Sequence, residues 1–318
     1  LPEREKLFIQ GSAFYSVPST YDKAIEAYGK LRAFYPESPE AVSANINLAV
    51  IYTEIEEWDK AIECNESAIK AGTRFANVYA NLAYPYMAKG EYDKAKKVLE
   101  DGISRFPDNP PAHWNLGMLY AFQGNFDLAL DEADKAVAID PANYTRARFY
   151  HMMWDFSKAE KEYEGWLGHV DQIHHIWARE RLGYFYKTLG KFEEAKNQIM
   201  LGIDLAEKMK AETDLLYLYY DLAYHYLRSG KDREALEAVQ KPQISGQLPI
   251  VDRIYILEMK GWIYAEMGRL GDARNVAEEI KGLAETSLYK KSIRHYHALT
   301  GMIQLKRKDY SGAIKSFQ

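Results

Sequence analysis

The sequence predicts an all-α chain assembled from repeated pairs of helices. Three observations carry that reading. Alanine recurs at Ala61, Ala95 and Ala129 in two steps of 34 residues, and its surroundings recur in phase. Ahead of it stand Asn45-x2-Leu48-Ala49-x2-Tyr52, Tyr79-x2-Leu82-Ala83-x2-Tyr86 and His113-x2-Leu116-Gly117-x2-Tyr120. Within each block the residues at unit positions 4, 8 and 11 lie four and three apart, which puts them on one stripe of a helix. Between the two apolar stretches a glycine recurs, at Gly90, Gly124, Gly190, Gly230 and Gly268. Glycine there accepts the left-handed conformation that ends a helix.

Each unit is numbered from 1 to 34 with the recurring alanine at position 20, and the elements then follow in order. Unit 1 carries Phe8, Gly11, Tyr15, Ala24 and Tyr28 and closes at Pro36; units 2, 3 and 4 are those quoted above, with Pro107 and Pro141 closing the third and fourth. Proline cannot continue a helix, so each of these prolines ends or resets a second helix. Unit 5 has Ala147, Tyr150, Ala159 and Tyr163. Unit 6 has Leu182, Gly183, Tyr186 and Ala195, and unit 7 has Leu222, Ala223, Tyr226 and Ala235. Unit 8 has Gly261, Tyr264 and Ala273, and unit 9 has Gly301 and Ala313 before the chain stops at Gln318. Spacing drifts after unit 5, with alanines at 159, 195, 235, 273 and 313, which predicts longer helices there. A small residue at position 8 lets the second helix approach closely, where the alanine at 20 meets it.

The array has two irregular places. The turn of unit 5 reads His151-Met152-Met153-Trp154-Asp155, with Trp154 in place of the glycine. It is read as a shortened first helix with Met and Trp filling a gap; the competing reading is a kink or an exposed apolar contact. The segment from Lys241 to Pro249 holds two prolines and a glycine and reads as a loop joining units 7 and 8.

A 34-residue period with this pattern resembles the tetratricopeptide repeat (TPR), a helix–turn–helix unit. The resemblance covers essentially the whole chain. It implies a right-handed superhelical solenoid of antiparallel helix pairs with about nine repeats, the last incomplete, near 5–38, 42–75, 76–109, 110–141, 142–173, 176–212, 216–250, 254–290 and 294–318. The opening Leu1-Pro2-Glu3-Arg4-Glu5-Lys6-Leu7-Phe8-Ile9 resembles the start of TPR arrays in bacterial multidomain signalling proteins, which often carry a kinase, cyclase or DNA-binding domain upstream. The first residue is Leu and the last unit stops inside its second helix, so the chain is read as an excerpt of a larger protein.

The bulk numbers narrow the function. Net charge is −5 over 318 residues, which argues against the clustered basic face of a nucleic-acid binder. No apolar run approaches the roughly 18 residues of a membrane span. Cys64, the only cysteine, falls in a second-helix pattern, is read as a small core residue and fits a reducing, cytoplasmic compartment. No phosphate-binding glycine loop or nucleophile elbow is present. His169, His174 and His175 beside Asp171 match no metal-ligand spacing and read as a solvated junction. His295 and His297, two apart on a helix, point to different faces. Neither catalytic residue, metal site nor cofactor is expected.

In TPR arrays the first helices line a concave groove. Unit positions 2, 5, 9 and 12 form a second stripe, distinct from the packing stripe and left free for a ligand. In units 3 and 4 it carries Tyr84, Met87, Trp114 and Met118, with Phe122 adjacent. In units 6 and 7 it carries Trp177, Tyr184, Tyr217, Tyr220 and Tyr224, and in unit 8 Tyr255 and Trp262. Aromatic residues and Met are enriched at binding hot spots; the competing reading is that they pack on the neighbouring unit. TPR domains that clamp a C-terminal carboxylate use Lys at position 5 and Asn at position 9, whereas units 1 to 4 offer Ile9, Ile46, Ala80 and Trp114, then Ala13, Val50, Tyr84 and Met118. The expected role is a protein-interaction scaffold binding a peptide segment or partner helix. The alternatives are a peptide- or effector-sensing regulatory domain and the substrate-recruiting part of a larger enzyme.

Overall fold

The structure, a computed structural model, describes residues 1–141, 143–168, 171–242 and 248–318. All regular structure among them is helical, and the helices come in pairs. The first helices are α1 (Glu3–Tyr15), α3 (Pro39–Glu54), α5 (Asn77–Ala88), α7 (Pro110–Phe122), α9 (Thr145–Met152), α11 (Gln172–Thr188), α13 (Glu212–Arg228), α15 (Ile250–Glu266) and α17 (Ile293–Lys306). Their partners are α2 (Tyr21–Phe34), α4 (Trp58–Lys70), α6 (Tyr92–Arg105), α8 (Phe126–Ile139), α10 (Phe156–Trp166), α12 (Phe192–Met209), α14 (Asp232–Gln240), α16 (Leu270–Thr286) and α18 (Tyr310–Phe317). The chain divides into two compact units, Leu1–Glu162 and Tyr163–Gln318. Within each, a first helix packs on its own second helix, which packs on the first helix of the next pair.

The recurring residues explain this packing. All nine position-20 alanines, from Ala24 to Ala313, are at most 1% exposed. A methyl is all the space there permits, because position 8 of the facing helix is also small. A Cβ built on Gly117 would stand 3.2 Å from the Ala129 carbonyl and 2.9 Å from the Phe149 ring. Helices α2, α6 and α8 stop at Phe34, Arg105 and Ile139, each just before its proline. The drift in spacing is explained by length: α11, α13, α15 and α16 each run 17 residues and α12 runs 18. The loop expected at Lys241–Pro249 falls mostly on residues 243–247, outside the described residues.

In eight of the nine pairs the turn between helices is one cap repeated; the first pair is joined instead by a 3-10 turn, Pro18–Thr20. Position 15 is left-handed in Gly90, Gly124, Gly190, Gly230 and Gly268, and also in Glu56, Trp154 and Lys308. The next N–H then bonds back to the carbonyl of position 11, as from Glu91 to Tyr86 at 2.8 Å, Asn125 to Tyr120 at 2.9 Å and Asp155 to Tyr150 at 3.0 Å. This is the six-to-one closure of a Schellman cap, which satisfies carbonyls that the helix end leaves orphaned. Trp154 therefore keeps the turn despite its side chain. Helix α9 is short, as expected, at 8 residues, but Trp154 fills no gap. It is 78% exposed and meets Phe156 edge-on at 5.7 Å between ring centroids. A left-handed backbone points its side chain away from the packed helices.

Candidate functional site

Of the twelve stripe residues, five lie in the first compact unit and seven in the second. In the first unit, α5 and α7 present Tyr84 and Phe122, 50% and 59% exposed. Tyr84 meets Trp58 edge-on at 6.1 Å. Met87 and Trp114 are half-buried against the core beneath them. Met118 corrects the sequence expectation: it is buried against Ala121, Ala129, Ala133 and Phe149 and offers no surface to a ligand.

The second unit carries the richer face. Trp177, Tyr184, Tyr217 and Tyr255 are all exposed, between 37% and 55%, while Tyr220, Tyr224 and Trp262 are half-buried. These rings are tied to carboxylates of the next repeat. Trp177 Nε1 donates to Asp214 Oδ1 at 3.1 Å, and Tyr217 OH donates to Asp252 Oδ1 at 2.8 Å. Lys187 Nζ donates to Asp221 Oδ1 at 2.7 Å and lies over the rings of Tyr184 and Tyr224, 5.9 and 5.6 Å from their centroids. His295 Nδ1 sits 2.9 Å from Glu258 Oε2, and the Tyr255 ring packs edge-on against both His295 and Tyr220. Each link joins successive first helices, α11 to α13, α13 to α15 and α15 to α17.

The electrostatics follow from this crowding. Burial pushes the Glu180 carboxyl above its ordinary range; Arg181 opposes the shift, and Asp221 and Asp214 add to it. Burial likewise raises the Tyr217 hydroxyl, reinforced by the hydrogen bond to Asp252, and the Tyr220 hydroxyl, reinforced by Glu258 and Asp221. A buried carboxylate favours its neutral form when other carboxylates share its surroundings. The face thus combines carboxylates with partly exposed aromatic rings.

Sequence reasoning found the rings and missed the acids. Their signal was present: Asp214 and Asp252 each stand three residues before a stripe tyrosine, Tyr217 and Tyr255. The histidine group predicted to be a junction includes His169, which lies outside the described residues. Of the others, His174 packs against the Trp166 and Trp177 rings. No group of three or more His, Cys, Asp or Glu side chains able to hold a metal occurs among the described residues. Among the described residues no helix is long and apolar enough to cross a membrane.

With the helix pairs and their caps in view, a family model described as tetratricopeptide repeat matches residues 81–144, and a second of the same description matches 178–209. Those two stretches are tetratricopeptide repeats. No curated protein matches the sequence. Among solved structures, yeast Tom70 is similar at a TM-score of 0.70 and 18% identity, covering 98% of this chain and 67% of that one. A tetratricopeptide repeat protein from Parabacteroides merdae ATCC 43184 covers 92% of this chain and 98% of its own, at 16% identity and a TM-score of 0.46. At these identities the likeness concerns the fold, and the TPR fold is in general that of a protein–protein interaction scaffold.

Proposed function

We propose that the chain binds segments of other proteins along the aromatic stripe of its first helices, with one patch in each compact unit. The observation that carries this reading is the exposure of rings where packing does not require it. Tyr84, Tyr184, Tyr217 and Tyr255 stay open to solvent while the position-11 tyrosine Tyr86, one turn or less away from Tyr84, is buried. Tyrosine and tryptophan in such a setting supply large, rigid contact area at low entropic cost. Burying one against a partner is worth roughly 1.5–3 kcal/mol, so a few provide the roughly 8 kcal/mol of micromolar affinity after association costs.

The experiment is selection of peptides from a random display library on the chain, followed by titration of the selected peptides. Trp114→Ala or Tyr220→Ala should weaken binding roughly tenfold or more, the equivalent of about 1.4 kcal/mol or above, with the helical circular dichroism unchanged. Hydrogen exchange should show protection on α5 and α7 or on α11, α13 and α15. Peptides that instead protect only second helices or turns would defeat the groove reading. The wider roles, a sensor controlling an attached domain or a substrate-recruiting arm of an enzyme, are compatible with the same groove. Such a sensor should compact on binding in solution scattering, and a scaffold should not.

A further inference from the structure

We propose that the face built by α11, α13 and α15 takes a cationic side chain, arginine or lysine, from an extended basic segment of a partner protein. The proposal rests on the groove reading above and names the chemistry of its ligand.

The chain supplies its own example. Lys187 lies over the Tyr184 and Tyr224 rings with its ammonium 2.7 Å from Asp221 Oδ1. Two aromatic faces and a carboxylate are the elements that hold an ammonium or guanidinium. One step further along the face the same elements recur in Tyr217, Tyr220 and Tyr255 with Asp252, Asp214 and Glu258. Among the described residues no Lys or Arg lies over those three rings. Among the described residues, Asp214 and Asp252 accept side-chain hydrogen bonds only from neutral donors, the Trp177 indole and the Tyr217 hydroxyl. A carboxylate with one such bond retains further lone pairs for a charged donor.

Charge complementarity points the same way. Glu180, Asp214, Asp221, Asp252 and Glu258 gather around the stripe, opposed by Lys187 and Arg181, with His295 beside Glu258. Five carboxylates against two permanent cations leave negative charge uncompensated. Burial is the main cause of the raised Glu180 and Tyr220 groups, and the neighbouring carboxylates add to it. An incoming cation relieves the uncompensated charge, whereas an acidic or purely apolar segment does not.

The test is fluorescence anisotropy on the full chain with three labelled twelve-residue peptides, alternating Ser with Arg, with Glu or with Leu. The Arg peptide should bind tightest, and more weakly as salt rises from about 0.05 to 0.5 M, because screening shortens the reach of charge. The double variant Asp214→Asn/Asp252→Asn should raise its Kd tenfold or more. Asp93→Asn/Asp127→Asn, which removes the same charge from exposed sites on α6 and α8, should change it less than twofold. Thermal melting of both variants establishes that each is folded. Equal losses in the two double variants, or no binding of the Arg peptide, would overturn the proposal. Binding of the Leu peptide that Tyr220→Ala weakens and Asp214→Asn/Asp252→Asn does not would also overturn it, while leaving the groove reading intact.

Discussion

Replacing Ala129 by Leu should destabilise the first compact unit, even though it makes a core residue more hydrophobic. Ala129 is wholly buried, in a cluster with Met118, Ala121, Ala133 and Phe149. Its carbonyl already lies 3.2 Å from where a Cβ on Gly117 would stand, so the two helices have no slack. If the added groups found room, transfer from water would contribute about 0.8 kcal/mol per methylene. No room exists, and overpacking a filled contact costs about 1–3 kcal/mol net. For a cooperative unit of this size each kcal/mol moves the melting temperature by about 2–4 °C, so a fall of about 4–8 °C is expected for a cost near 2 kcal/mol. Neighbours in a repeat array stabilise each other. Amides of α7, α8 and α9 should therefore lose hydrogen-exchange protection before those of α1 to α3. The adjacent Leu128, 47% exposed, is the control: Leu128→Ala should cost no more than about 0.5 kcal/mol. An Ala129→Leu protein that melts at or above the original temperature would refute the close-approach account of position 20.

Three further outcomes follow from the same geometry. Lys308 holds a left-handed φ of 62° without being glycine, so Lys308→Gly should stabilise the end of the second unit by about 1 kcal/mol, and Gly190→Ala should do the reverse; denaturant melts of the pair check the sign. His113 bonds Glu132 Oε2 through Nδ1 at 2.6 Å and the Pro107 carbonyl through Nε2 at 2.9 Å, both side chains being buried. Glu132→Ala should cost about 3 kcal/mol by leaving a buried partner unpaired, and His113→Phe/Glu132→Leu should recover most of that loss in chemical denaturation. Burial pushes the Cys64 thiol up to about 11, with Arg32 as the main opposing charge. The thiol then stays neutral at pH 8, so alkylation there should proceed only as fast as the first unit opens; labelling at the rate of a free thiol would contradict its burial.

What the sequence determined by itself is whatever depends on one turn of helix. The spacing of positions 4, 8 and 11, the methyl at 20 and the left-handed residue at 15 are set by helical periodicity and by local backbone sterics. Ala95, Gly90 and Pro107 could therefore be read correctly one residue at a time. Even so, the cap proved more tolerant than its glycines suggested. Glu56, Trp154 and Lys308 adopt the same φ because the backbone closure onto position 11 offsets a strain of only about 1–2 kcal/mol. The tertiary structure decided what the stripe touches. Met118 and Phe122 share a helix and a polarity, yet one is core and the other exposed, because Phe149 and the next helix pair cover only part of α7. The carboxylates that give the second unit its electrostatic character meet their partners, Trp177, Lys187, Tyr217 and His295, from 34 to 37 residues away. Periodicity places residues on a face, but the spacing between successive first helices decides which side chains on that face meet, and no local rule contains that distance.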